Sequence, residues 1–432
     1  MNLSQKLFKP VESYPVAIWR ILFGLVLVFE TIGSNLVGWT KTVFIEPKFT
    51  FTFIGFEWLQ PLSGNGMYWL FSLLGLLAVF ITIGFYYRFS MVMFTVGWAA
   101  IYFMHKTSYN NHHYLMLLLC VMMIFTPANT VLSFDAKSGR IPKSEFIPAL
   151  FKWQYMLLLG IVYTYASIAK WYPDWINDEV FYFSKNHPVF GWFFVWPHSG
   201  KAIAWGGILF DLLIIPVLLF SRTRVPAFLI SIVFHLFNSV TFQIGTFPYM
   251  MIASSVFFFS ESRVRRFFRI KAIPTEPPEM AFSVGYKKVA TAVFVLFFCF
   301  QLLLPLRHHF IKGYVTWTEE GHKLSWRMML RSKTGTIHFK IMKNGKEISH
   351  TPSEHLTGQQ LATMKVHPCM IWQYCQFLKK LYGEEIEIYI ISFVKLNQHE
   401  RQQFIDPTVD MAKAEWHFFK HEDWILPFDR TK

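Results

Sequence analysis

The feature that most constrains this chain is its series of apolar runs, each about as long as a helix must be to cross a hydrocarbon core, roughly 20 residues. Lipid offers no partners to backbone N–H and C=O groups, so such runs fold as helices or not at all. Laid along the 432 residues, this ruler predicts eight or nine spans: 14–36, 67–87, 90–104, 113–125, 147–169, 203–220, 225–244, 248–260 and 289–306. The third, fourth and eighth are short, and short neighbouring spans border a cavity or tilt little. Composition agrees, since 53% apolar and only 16% charged residues exclude an ordinary soluble domain.

The formal net charge of +14 could suggest nucleic acid, but the basic residues lie in short connections between apolar runs. That is how membrane topology is encoded, and no nucleic-acid partner is needed. With nine spans, the connections carrying Arg88, then Lys137, Arg140 and Lys143, then Arg222 and Arg224, then Arg263, Arg265, Arg266, Arg269 and Lys271 fall on one side, the cytoplasm. Connections 37–66, 105–112, 170–201 and 245–247, and everything after Arg307, then face outward. Lys6 and Lys9 precede the first run, which holds Arg20 and Glu30 and is followed by no small-residue cleavage site. We expect a retained span rather than a signal peptide. Cys120 and Cys299 lie in apolar runs and Cys369 and Cys375 sit six apart, so neither a disulfide framework nor a CxxC metal pattern is present. No internal repeat of the inverted transporter type stands out.

After Arg307 the texture becomes alternating and charged. Residues 336–342 and Ile348 flank Asn344-Gly345 as a hairpin would, 385–395 reads as a second strand, and 358–382 has helical spacing broken at Pro368. The expected architecture is a mainly α membrane protein: a polytopic bundle over 1–306 and an extracytoplasmic, beta-rich, sandwich-like domain over 307–432.

Ionisable groups inside a membrane are costly, which singles out Arg20, Glu30, Asp211 and His235. Arg20 and Glu30 can hold the bundle together, and Asp211 becomes structural too if it meets a partner such as Arg20. Tyr109-Asn110-Asn111-His112-His113 gathers neutral donors and acceptors where a helix re-enters from outside. One reading is helix capping by Asn110 or Asn111; the other is a polar site, though adjacent histidines cannot share one metal and no metal-binding spacing appears. Lys170 ends the fifth span ahead of Trp171-Tyr-Pro-Asp-Trp175. It either snorkels to the interface or sits in a closed apolar pocket, where lysine can serve as a general base. His235 and Asn238 share one face of the seventh span, with Gln243 and Phe247 near its outer end. They can pack between helices or contact a lipid-soluble ring bearing oxygens.

These residues resemble the vitamin K-dependent gamma-glutamyl carboxylases and their bacterial relatives with the horizontally transferred transmembrane domain. In the membrane part the similarity rests on Gly55-Phe-Glu-Trp58, Lys106-Thr-Ser-Tyr-Asn-Asn-His112, Ala166-Ser-Ile-Ala-Lys170 with Asp174-Trp175, Phe234-His-Leu-Phe-Asn238 and Phe247-Pro-Tyr-Met-Met-Ile-Ala-Ser-Ser255. In the tail it rests on Gly313-Tyr314, Trp317-Thr318, Ser325-Trp326-Arg-Met-Met329, Phe404-Ile-Asp-Pro-Thr-Val-Asp410 and Ala414-Glu-Trp416.

The resemblance implies a multi-pass protein of the bacterial inner membrane, a carbon–carbon lyase with epoxidase activity. Reduced vitamin K, or a menaquinol-type quinone, would give a proton to a lysine and react with dioxygen. The oxygenated quinone would then take the gamma proton of a glutamate in a peptide or protein, carbon dioxide would add, and the products would be gamma-carboxyglutamate and vitamin K epoxide. No metal takes part. By motif, Lys170 is similar to the base, and His112 with Asn111 to the group that supports the oxygen chemistry. His235, Asn238, Phe247 and Tyr109 would bind the quinone, and Tyr314, Ser325 and Trp326 would meet the glutamate substrate. The chain departs from the animal members at Ala169, where they carry a second lysine, around Gly321 and His322, and in stopping soon after Trp424-Ile-Leu-Pro427 where they continue. An epoxidase without carboxylation, or a transporter or scaffold centred on Asp211 and Glu30, are the rival readings.

Overall fold

The computed structural model describes residues 2–181, 185–271, 277 and 280–431. Numbering the helices of eight residues or more, α1 is Tyr14–Leu36, α2 Gly66–Ile83, α3 Tyr87–Met104, α4 Asn111–Phe125 and α5 Leu150–Ile168. α6 is Ser199–Leu219, α7 Arg224–Phe242, α8 Phe247–Ser254 with a 3-10 continuation Ser255–Phe258, and α9 Val284–Leu303. A helix therefore stands at each expected position. Five of them, α1, α2, α6, α7 and α9 with its extension to Phe310, are long and apolar enough to cross a membrane by length and composition, while α4 and α8 are apolar but shorter. The outward faces carry Phe29, Val233 and Leu296 at 69%, 71% and 68% exposure, an arrangement suited to lipid rather than water.

The helices pack α2 on α1 and α3, α3 on α4, and then α5 on α6, α6 on α7, α7 on α8 and α8 back on α1, with α9 against α5. α1 and α2 approach closely because Gly24 has no side chain: a Cβ there would lie 2.9 Å from the backbone of Thr82. Small residues at such crossings let helix backbones meet in a membrane.

One end of the bundle is tied together by groups from the basic connections. Tyr86 and Tyr87 donate their backbone N–H groups to Asp135, which also pairs with Arg140. Lys152 pairs with Glu261, and Arg265 with Glu12. Arg20 donates to the carbonyls of Ala128 and Leu132 at this end. The pairing of Asp211 with Arg20 entertained from the sequence is therefore corrected: Arg20 is held by carbonyls, and Asp211 meets Lys170 instead.

At the opposite end sit the loop around Phe51, the 105–110 turn and the C-terminal region. The tail builds one antiparallel sheet in the order β4-β3-β5-β6, with β3 Lys333–Lys343, β4 Lys346–Ile348, β5 Glu387–Leu396 and β6 Gln402–Gln403; β1 and β2 are the ribbon Pro10–Glu12 with Phe146–Pro148. The hairpin turns at Asn344 and Gly345, both with positive φ (51° and 73°), as a two-residue primed turn requires. The expectation of a sandwich is corrected. In place of a second sheet, α10, Pro368–Tyr382, supplies Tyr374, Cys375 and Leu378 to the same buried cluster as Ile388, Ile390, Val394 and Leu396 of β5. Helical spacing on α10 gives it one apolar stripe, which is what the inward alternation of β5 needs. Proline breaks the helical stretch where expected, between Gly358–Met364 and α10.

Tail and bundle are joined by side-chain contacts. Phe51 is buried in the tail's cluster, Gln373 donates to the carbonyl of Thr52, and Asn397 and His399 both meet the Asp174 carboxylate, at 2.6 and 3.2 Å.

Candidate active site

Between the tail-facing ends of α4 to α8 and the tail lies a cavity of about 810 Å³. Its walls are largely apolar, with Val162, Ile203, Phe210, Ile230, Phe234 and Met251 among them. Phe210 and Phe234 stack with ring centres 3.7 Å apart. Seven of the residues singled out from the sequence line it: Lys170, Asn111, His112, His235, Asn238, Phe247 and Tyr109.

Lys170 follows the last turn of α5, whose Ser167 hydroxyl donates to the carbonyl of Ile208 and so ties α5 to α6. The lysine does not snorkel. It is 7% exposed, its Nζ meets the buried carboxylate of Asp211 on α6, and the Trp175 ring centre lies 5.5 Å from Nζ. That ring is itself fixed, its indole N–H donating to the carbonyl of Ala204 at 3.0 Å.

α4 begins here because the Asn110 side chain accepts the N–H of His113 at 2.8 Å. Capping and site formation thus coexist in one motif. Asn111 donates to the carbonyl of Arg327 at 2.9 Å and accepts from the Tyr109 hydroxyl at 3.0 Å, while that hydroxyl accepts the N–H of Leu324 at 2.6 Å. The His112 ring lies between those of His113 and Phe247, at 4.9 and 5.7 Å. His113 turns away from the cavity to Glu30, which also accepts from Thr246.

On α7, His235 shares a hydrogen bond with the Tyr163 hydroxyl through Nε2 at 2.8 Å. Its Nδ1 is buried without a partner among the described residues. An apolar-walled space of this size, edged by an orphaned imidazole nitrogen, the Asn238 amide one turn further along and the Lys170 amine, fits a lipid-soluble ring with oxygens at its rim.

The tail forms the roof, and its cations escaped the sequence reading. Lys106, Lys323, Arg327, Arg331, His322 and His367 also line the cavity. Lys106 in the 106–112 motif, Arg327 in the 325–329 motif and His322 had drawn notice, but none of the six as a cation of the cavity. Glu319 receives both Arg331, through Nε and through Nη2 at 2.5 Å, and Lys333 at 3.3 Å. Burial alone would raise the Glu319 carboxyl, but these two cations outweigh it and hold it well below the usual carboxylate range. Burial pushes His367 down to about 3, so its Nε2 stays free to face Arg331 at 3.4 Å while Nδ1 meets the Thr363 carbonyl at 2.7 Å. Burial likewise lowers Lys106 to about 8. Three large residues of the roof, Leu324, Trp326 and Met329, have positive φ of 60°, 54° and 53°. Such strain is rare outside glycine and collects at functional sites.

The remaining candidates do not face this space. Trp326 is 1% exposed and stacks on Tyr114 at 5.0 Å. Tyr314 and Ser325 line a second cavity of about 790 Å³ along α5 and α9, which Arg327 also borders.

Two family models match the chain, the HTTM domain over residues 8–262 and the lumenal domain of vitamin K-dependent gamma-carboxylase over residues 286–431. No solved structure matches it significantly.

Proposed function

We propose, from the fact that this chain belongs to the vitamin K-dependent gamma-carboxylase family, that it oxygenates a vitamin K or menaquinol-type hydroquinone and couples this to carboxylation of glutamate in a peptide or protein. The observation that supports this most directly is the convergence of Lys170, Asn111, His112, His235 and Asn238 on one apolar-walled cavity between bundle and tail. Lys170 would take the hydroquinone proton, while Asn111 and His112 would flank the reacting oxygen. His235, Asn238, Phe247 and Tyr109 would seat the ring. Bound hydroquinone, with dioxygen, would supply the basicity for a carbon-bound gamma proton that no side chain possesses. The largely apolar helical walls would limit the access of water to that step.

In this reading 1–306 is a nine-span bundle in a bacterial inner membrane and 307–432 an extracytoplasmic domain. It is supported by the gathering of basic connections at one end of the bundle and of the tail at the other. The roof cations suit a carboxylate substrate, and Tyr314, Ser325 and Trp326 would shape its approach. A second reading, oxygenation without carboxylation, draws on Tyr314 and Ser325 lining the other cavity. Asp211 and Glu30, on which the transporter reading rests, are engaged by Lys170 and by His113 and Thr246.

The test is purified protein in detergent with reduced vitamin K, dioxygen, labelled bicarbonate and a short glutamate peptide. We expect epoxide and fixed label together, both lost at least a hundredfold in Lys170→Ala. Epoxide without label would support the second reading, and neither product from folded protein would refute both.

A further inference from the structure

We propose that Asp211 is the positioning residue of Lys170: its carboxylate aims the amine into the cavity and stabilises the ammonium that forms when Nζ accepts a proton. This deepens the function proposed above and rests on it. In the step concerned, the O–H bond of the hydroquinone breaks, an N–H bond forms at Nζ, and the electron pair stays on oxygen. A neutral amine thereby becomes a cation inside an apolar space.

The surroundings show why a carboxylate matters there. From the helices and the turn before α4 the titratable groups facing the cavity are Lys106, Tyr109, His112, Tyr163 and His235; from the roof they are His322, Lys323, Arg327, Arg331 and His367. Among the described residues lining the cavity, Asp211 is the one carboxylate. Without it an ammonium at Lys170 would stand unpaired beside other cations, and a buried unpaired charge is far costlier than a paired one. Asp211 comes from α6 and Lys170 from the end of α5, and Ser167 locks the two elements together at the carbonyl of Ile208. The arrangement parallels the carboxylate that orients and supports a catalytic histidine in hydrolytic triads.

The experiment is reductive methylation of the full-length protein in detergent across pH, reading Lys170 by peptide mass spectrometry, alongside the pH profile of epoxide formation. In Asp211→Asn the pH of half-methylation should fall by about one unit or more, because the ammonium has lost its counter-charge. The acid limb of the rate profile should fall with it, and the plateau rate should drop about tenfold, because the amine is a weaker base. Asp211→Glu keeps the charge but shifts it by one methylene; it should keep the methylation pH and lower the saturated rate at least about fivefold. Unchanged methylation pH in folded Asp211→Asn, or an unchanged rate in Asp211→Glu, would overturn the proposal. If the unsubstituted protein makes no epoxide, the proposed function falls by itself, and the methylation shift still decides whether Asp211 supports the Lys170 ammonium.

Discussion

The two walls of the main cavity are built on opposite electrostatic principles. The helical wall is neutral by construction: its cation, Lys170, is matched by Asp211, and its other polar groups are Asn111, His112, His235 and Asn238. The tail wall has surplus positive charge, because Glu319 already serves Arg331 and Lys333 while Lys323 and Arg327 remain on the cavity side, with Lys106 of the 105–110 turn also lining the space. The difference separates the kinds of ligand that each wall favours. A neutral, lipid-soluble ring loses little by resting against the helices, whereas an anion gains most from the roof.

That contrast can be broken most forcefully at Glu319. Glu319→Gln leaves Arg331 and Lys333 buried without their carboxylate, and should cost about 3–5 kcal/mol in thermal or denaturant unfolding, while a helical-wall change such as Asn238→Ala should cost far less. Acid should act on the same wall. Glu319 titrates below its ordinary range when folded, so its contribution is fully present above that range and is lost as pH falls through the lowered value. His367, held neutral down to about 3, adds a loss of the same sign between its ordinary value near 6.5 and 3, because the unfolded chain binds that proton first. Melting temperature should therefore fall steadily from neutral pH toward pH 4, and less steeply in His367→Gln.

Lys323→Met, at a roof cation that Glu319 does not serve, sharpens the assignment of ligands to walls. It should raise KM for a glutamate peptide about tenfold, a loss of about 1.4 kcal/mol, with epoxide formation at saturating peptide little changed. A loss of quinone oxygenation instead would mean that the roof serves both ligands. The smallest effect is expected in the sheet beyond the roof. A Cβ at Gly345 meets nothing within 4 Å, but φ is 73° there, so Gly345→Ala should cost about 1 kcal/mol through backbone strain alone and leave both ligands' kinetics untouched.

Much of this was legible before any coordinates. The apolar runs placed nine helices, five of them long and apolar enough to cross a membrane, and their bounds differ at the ends. α2 stops at Gly84 rather than Tyr87, because a left-handed residue (φ 68°) closes it, and α9 starts at Val284, where Ser283 accepts the N–H of Tyr286 as a cap. Asn344-Gly345 announced its hairpin and Pro368 its helix start, both through local backbone preferences. His235 and Asn238 were also visible, since a polar group in an apolar run is conspicuous on cost alone, while Lys170, His112 and Asn111 stood out by the motifs that carry them at the ends of spans.

What the sequence by itself determined is which segments are helices and where the hairpin turns. These follow from hydropathy, periodicity and residue-level conformational preference, all of which act over a few neighbours. Which inward groups meet was decided only by tertiary structure. The pairing of Asp211 with Lys170 rather than Arg20, the roof of Arg331, Lys323 and His367, and the single sheet covered by α10 in place of a sandwich all depend on contacts between segments far apart in the chain. Periodicity assigns a residue to a face, but helix order and crossing geometry choose its partner.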